Sequence, residues 1–148
     1  MDKIKEFYTL ANKYCCYISA NMITPGSVSV LMELLMNLYI SAINLPEIEP
    51  ETIDSVSLSE TEDLSIRFSE QIPQFYWEVF DPFVQEDSVC GNLADDLSDI
   101  AGDLQIGMKE FVSGKIGNAV FEWKLGLNNH WGSHAVDALR ALHTIRTR

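Results

Sequence analysis

Beyond Glu86 the chain carries two long stretches in which an apolar residue returns every three or four positions, and Ser113-Gly114 divides them. The first sets Val89, Leu93, Leu97, Ile100, Leu104, Met108 and Phe111 on one helical face. The second does the same with Val120, Leu127, Trp131, Ala135, Ala138, Leu142 and Ile145. A helix with one apolar stripe must bury it, and a short glycine turn offers each stripe the other as its nearest cover. An antiparallel helical hairpin is expected at the C-terminal end. Its second arm would run about 30 residues, roughly 45 Å, with Gly132 as the point of a kink.

The same spacing governs the first third. Ile4, Phe7, Tyr8, Ala11, Tyr14, Cys15 and Ile18 mark a helix between Asp2 and Met22. Thr24-Pro25 ends it and starts another that reaches about Asn44, since Thr24 suits a capping position and Pro25 the first helical one. Ser27 to Leu45 is apolar enough to resemble a membrane span, but Glu33, Asn37 and Asn44 interrupt it. A mid-bilayer carboxylate costs about 2.5–3.5 kcal/mol, and the run barely reaches the ~20 residues a span needs. A core helix, with no membrane partner, is the expectation. With 148 residues and 47% hydrophobic composition, residues 1–148 read as one all-α domain, a bundle of about five to six helices.

Charge narrows the partners. The formal net charge is −12 and the ten Lys and Arg are scattered, which argues against nucleic acid. Seven of the acids fall between Pro46 and Asp63 with no Lys or Arg among them. That segment reads as an acidic loop over 46–63, mobile or acting as a lid, a plain solvated loop being the ordinary case. Within it Ser59-Glu-Thr-Glu62 has capping-box spacing and predicts a short helix over 59–72, although the alternation of Leu64, Ile66 and Phe68 also permits a strand. Five aromatics then crowd Gln74 to Phe83. Such a cluster ordinarily plugs a core, the sharper alternative being a ligand pocket, for which Tyr76, Trp77, Trp123 and Trp131 are the candidate aromatics. Cys15, Cys16 and Cys90 lack metal-site spacing and read as buried, reduced thiols. With no apolar run behind the first lysines, a cytoplasmic location is expected.

One constellation can carry chemistry. At 100° per residue Asn92, Asp96, Asp99 and Asp103 form a stripe beside the apolar face of their helix, while Asp95 points further out. On the following helix Trp123, His130, His134 and Asp137 form a similar stripe. Positions equidistant from Ser113-Gly114 lie at equal height in the hairpin, which brings His130 and His134 level with Asn92, Asp96 and Asp99, and puts Asp103 near Lys124. Asp96, Asp99, His130 and His134 are thus candidate ligands for a divalent metal such as zinc, manganese or iron, with Asp95 or Asp103 as a base. The metal would lower the pKa of a bound water for hydrolysis, a phosphate ester or nucleotide being the candidate substrate. The commoner outcome of such a stripe is an Asp/His network with no metal or other cofactor, which serves packing specificity. No phosphate-binding glycine loop, dinucleotide fingerprint or nucleophile elbow is present.

Tyr76-Trp-Glu-Val-Phe-Asp-Pro82, Leu93-Ala-Asp-Asp-Leu-Ser-Asp-Ile100, Glu122-Trp123, His130-Trp-Gly-Ser-His-Ala135 and Ala138-Leu-Arg-Ala-Leu-His143 together resemble a bacterial family known as a domain of unknown function, found largely in gut Bacteroides-type organisms. The resemblance spans nearly the whole chain and implies an all-helical cytosolic protein, with no activity or catalytic residue to carry over. The acidic helix is also loosely similar to those of all-α nucleotide pyrophosphohydrolases, which hold magnesium between two acidic pairs. Here Asp96-x-x-Asp99 faces histidines instead. Two functions follow as expectations: a helical module that binds a partner protein or itself, and a metal-dependent hydrolase.

Overall fold

Ile4, Phe7, Ala11, Tyr14, Cys15 and Ile18 form the buried face of α1, Asp2–Ala20. Residues 1–52 and 64–148 are described by a computed structural model. Thr24 and Pro25 open the second helix as their types require: Pro25 begins a 3-10 turn, Pro25–Ser27, and the Thr24 N–H donates to Ser27 Oγ at 2.8 Å. The helix that follows, α2 (Val28–Ile43), puts Val28, Leu31, Leu34, Leu35, Leu38 and Ala42 in the core. Pro25–Ile43 is long and apolar enough by composition to cross a membrane, and the fold uses one of its faces as core.

The C-terminal half has three helices. α3 (Leu93–Val112) ends at a turn in which Gly114 takes a left-handed φ of +82°. It packs on α4 (Ile116–Asn129) and α5 (Trp131–Thr147). The long second arm is therefore broken rather than kinked, at His130 instead of Gly132. Gly132 still explains the break: a Cβ there would lie 2.0 Å from the Leu127 carbonyl oxygen, so only a bare backbone lets α5 turn this closely over the end of α4. Trp123 and Trp131, candidate pocket aromatics by sequence, are instead fully buried at the centre of the core. Phe7 packs on Trp123 at 4.8 Å between ring centroids. The indole N–H of Trp123 donates to the Leu104 carbonyl and that of Trp131 to the Trp123 carbonyl, both at 3.0 Å, which removes the cost of burying them.

The bundle is not purely helical. β1 (Phe75–Glu78) pairs antiparallel with β2 (Val89–Asn92), Tyr76 opposite Gly91 and Trp77 opposite Cys90. Val89 is thus a strand residue, and α3 starts later than its apolar spacing suggests because Asn92, extended at φ −134° and ψ 118°, caps it by accepting from the Ala94 N–H. Aromatics favour a pleated, half-buried surface, which is how this run is used. It does not plug the core: Phe75, Trp77, Phe80 and Phe83 are exposed. The helix expected over 59–72 is absent from its described part, where residues 64–67 are irregular and Phe68 makes a parallel bridge to Ile23. Its capping-box residues 59–62 lie outside the described residues.

Residues 46–52 of the acidic segment are tied down. Glu47 pairs with Lys124, and the Glu51 carboxylate accepts from the Gly117 and Asn118 N–H groups at 2.9 and 2.8 Å. These are amides of the first turn of α4, with no partner inside the helix, and they hold the Glu51 carboxyl below its usual range. Of the cysteines only Cys15 is buried; Cys16 and Cys90 are exposed, because neighbouring positions on a helix face different ways and Cys90 sits on the outer side of the hairpin.

Candidate functional site

Asp96, Asp99 and Asp103 are three and four residues apart and follow one edge of α3, as expected. The depth changes along that edge. Asp96 is buried and Asp99 half-buried, while Asp95, a candidate base, is exposed on the neighbouring face. Asn92 is spent on capping the helix and takes no part.

His130 and His134 come from the elbow and the first turn of α5, and they meet this edge in two pairs. His134 Nδ1 lies 2.8 Å from Asp96 Oδ1, and His130 Nδ1 lies 2.8 Å from Asp103 Oδ2. An ionised carboxylate can only accept, so each Nδ1 carries the proton. Asp103 was expected beside Lys124. It meets His130 at the break after Asn129 instead, and Lys124 takes Glu47. As a candidate base Asp103 is therefore already engaged.

With both Nδ1 atoms committed, the Nε2 atoms are the ones left to act. His134 Nε2 is 3.4 Å from Asp99 Oδ2, and the two imidazole centroids are 4.7 Å apart. One potential ligand atom each from Asp99, His130 and His134 falls within 4.8 Å of the others. Four ligands at the usual 2.0–2.1 Å around a tetrahedral zinc lie about 3.4 Å from one another, so the Asp99–His134 spacing already suits a metal, and the set with His130 spreads to no more than 4.8 Å. The donor set of two imidazoles and one carboxylate suits zinc, manganese or iron better than magnesium. Asp96, one of the four candidate ligands, is placed differently: both its oxygens are used, and it stands behind His134.

The second partner of Asp96 was not foreseen. The Tyr76 hydroxyl donates to Asp96 Oδ2 at 2.5 Å and also lies 3.0 Å from Glu78 Oε2. A phenol has one proton to donate, and the shorter contact takes it. Burial, and then the hydrogen bond to Asp96, push the Tyr76 hydroxyl far above its ordinary range, so it stays protonated. Gly91 makes this reach feasible, since a Cβ there would lie 2.6 Å from Tyr76 Cζ. The hydrogen bond that His134 donates to Asp96 raises its pKa above the ordinary value. On the same face of α5, Asp137 is pushed up to about 6 by burial and by the charge of Glu78. Tyr76 and Glu78 are two apart on a strand and so share a side, a signal available only once the hairpin is read as a strand pair.

The chain belongs to a family described as a domain of unknown function, DUF5063, whose model matches residues 1–148. Its fold is similar to the crystal structure of protein BF1032 from Bacteroides fragilis, with a TM-score of 0.73 over 100% of this chain and 97% of that one. The two are 21% identical, so the likeness is one of fold. No curated protein matches the chain.

Proposed function

We propose that the edge between α3 and α5 is a mononuclear divalent-metal site with Asp99, His130 and His134 as ligands. The observation that carries this reading is the pairing of each histidine, through Nδ1, with its own aspartate. Asp96 and Asp103 fix the tautomer and orientation of the two rings, the usual second layer of protein metal sites. Among the described residues three protein ligands are offered, and His130 is half-exposed, which leaves room for water or a substrate group. A metal held by Asp99, His130 and His134 would lower the pKa of a bound water to about 7, suited to hydrolysis. The cysteines form no disulfide, which fits a reducing compartment such as the cytoplasm.

Protein purified without an affinity tag is expected to bind about one equivalent of zinc or manganese and to gain thermal stability from it. Asp99→Ala and His130→Ala abolish that binding, and Asp96→Asn weakens it roughly 10–100-fold. No near-stoichiometric metal, together with no thermal shift on adding either ion, rules the reading out.

A second reading has its own support: a non-enzymatic module in which the Asp/His network is structural and the apolar surface meets a partner protein or another copy. It is favoured by the burial of Asp96 with both oxygens satisfied, and by Val30, Met36, Ile40 and Ile43 on the outer face of α2. In that case His134→Ala costs stability whether or not metal is present.

A further inference from the structure

The β-hairpin, α2 and the α4–α5 elbow surround an open cleft of about 970 Å³, at the upper end of the range for small-ligand sites. Asp99, His130 and His134 do not line it, so it is a different site from the metal site proposed above, its neighbour through Tyr76, which lines the cleft and donates to Asp96. Its lining has two chemical parts. Trp77 and Phe80 stand in it 74% and 80% exposed, with Tyr39 and Tyr76 beyond them. Glu78 and Asp137, which line the same cleft, form the second part.

Of the other charges in the lining, Lys124 is paired with Glu47 and Arg140 is exposed to solvent. The lining thus carries three carboxyl groups against two cations, and Glu78 and Asp137, both half-buried, are the ones a further cation can join. Aromatic faces attract cations as well, most strongly Trp. A chain of net charge −12 further raises the local concentration of cations over anions.

We infer that this cleft binds a small organic cation, a primary ammonium carrying an apolar or aromatic body. The ammonium sits on Glu78 and Asp137, and the body lies against Trp77 and Phe80. A primary ammonium offers three N–H donors, enough for both carboxylates at once. A neutral ligand of the same shape leaves the carboxyl pair uncompensated, and an anion meets it as a like charge.

The test is isothermal titration of the whole protein with benzylammonium, and with benzyl alcohol as its neutral counterpart. Saturable binding of benzylammonium is expected at or below about 10 mM, with benzyl alcohol roughly tenfold weaker or silent. Asp137→Asn and Glu78→Gln each weaken benzylammonium roughly tenfold. Phe80→Ser, at a position too exposed to matter for folding, weakens it as well and keeps the test valid if a carboxyl variant misfolds. Equal binding of the two probes, no binding of either, or unchanged affinity in well-folded Asp137→Asn overturns the inference. So does a concentration-dependent dimer that Phe80→Ser dissolves while benzylammonium has no effect, since the face would then belong to a second copy of the chain.

Discussion

The two Asp–His pairs on the edge of α3 have the same N···O separation, 2.8 Å, and different surroundings. In the Asp96–His134 pair the side chains are 6% and 27% exposed; in the Asp103–His130 pair they are 17% and 49% exposed. Asp96 also receives the Tyr76 hydroxyl from the hairpin, whereas water can replace His130 as the partner of Asp103. Equal distances therefore stand for unequal energies. Removing one member of a buried, hydrogen-bonded pair strands the other away from water, while an exposed pair exchanges its partner for solvent at little cost. The inner pair holds three elements together: α3, α5 and β1. The outer pair sets the direction of one imidazole.

Asp96→Ala is the largest test of that contrast. It strands His134 and the Tyr76 hydroxyl and is expected to lower the unfolding free energy by about 3–5 kcal/mol in urea denaturation. A loss below about 1 kcal/mol would mean that burial does not separate the two pairs. Next comes Gly91→Ala, which acts on the inner pair without touching a charge. The added Cβ collides with the Tyr76 ring and is expected to cost about 2 kcal/mol, with loss of the Tyr76–Asp96 contact visible in the tyrosine absorbance.

The third test is pH, run with a chelator present. Asp137 has its pKa raised from 3.8 to about 6, so its contribution is complete below about pH 3.8 and disappears as pH rises to about 6. Asp137→Asn should therefore raise stability above pH 6, by about 1 kcal/mol after allowance for its partial exposure, and change little near pH 4. His134, raised by Asp96, acts in the same direction at higher pH: its contribution is full below about 6.5 and is lost as pH climbs through its folded value. His134→Gln should flatten that upper fall in Tm. The smallest effect belongs to the outer pair. Asp103→Ala should cost about 0.5 kcal/mol, and a cost near that of Asp96→Ala would break the comparison.

Much of this was legible in the residues. The three-and-four spacing of apolar positions located α1, α2 and α3 to within a few residues, and the same count put Asp96, Asp99 and Asp103 on one edge with Asp95 turned outward. The meeting of that edge with His130 and His134 also followed from two helices joined by a glycine turn. The partners within it did not. Asp103 was placed against Lys124, Asp96 was grouped with the ligands, and Trp123 and Trp131 were counted as pocket aromatics when they are the centre of the core. Tyr76 was counted as a pocket aromatic and not as a partner of Asp96, because nothing local says that a strand pair will carry its hydroxyl to a carboxylate 20 residues on.

By itself the sequence determined α1, α2 and α3, the common edge of Asp96, Asp99 and Asp103 with Asp95 turned outward, and the acidic character of the surface, since each depends on composition or on residues within one or two turns of one another. Tertiary structure decided where the last arm breaks, which histidine each aspartate meets and which carboxylate receives the tyrosine. Those contacts join residues 20, 27 and 38 apart in the chain. They depend on a backbone that bends at His130 and comes close at Gly91 and Gly132, where the absence of a side chain matters only once a neighbour has arrived to use the space.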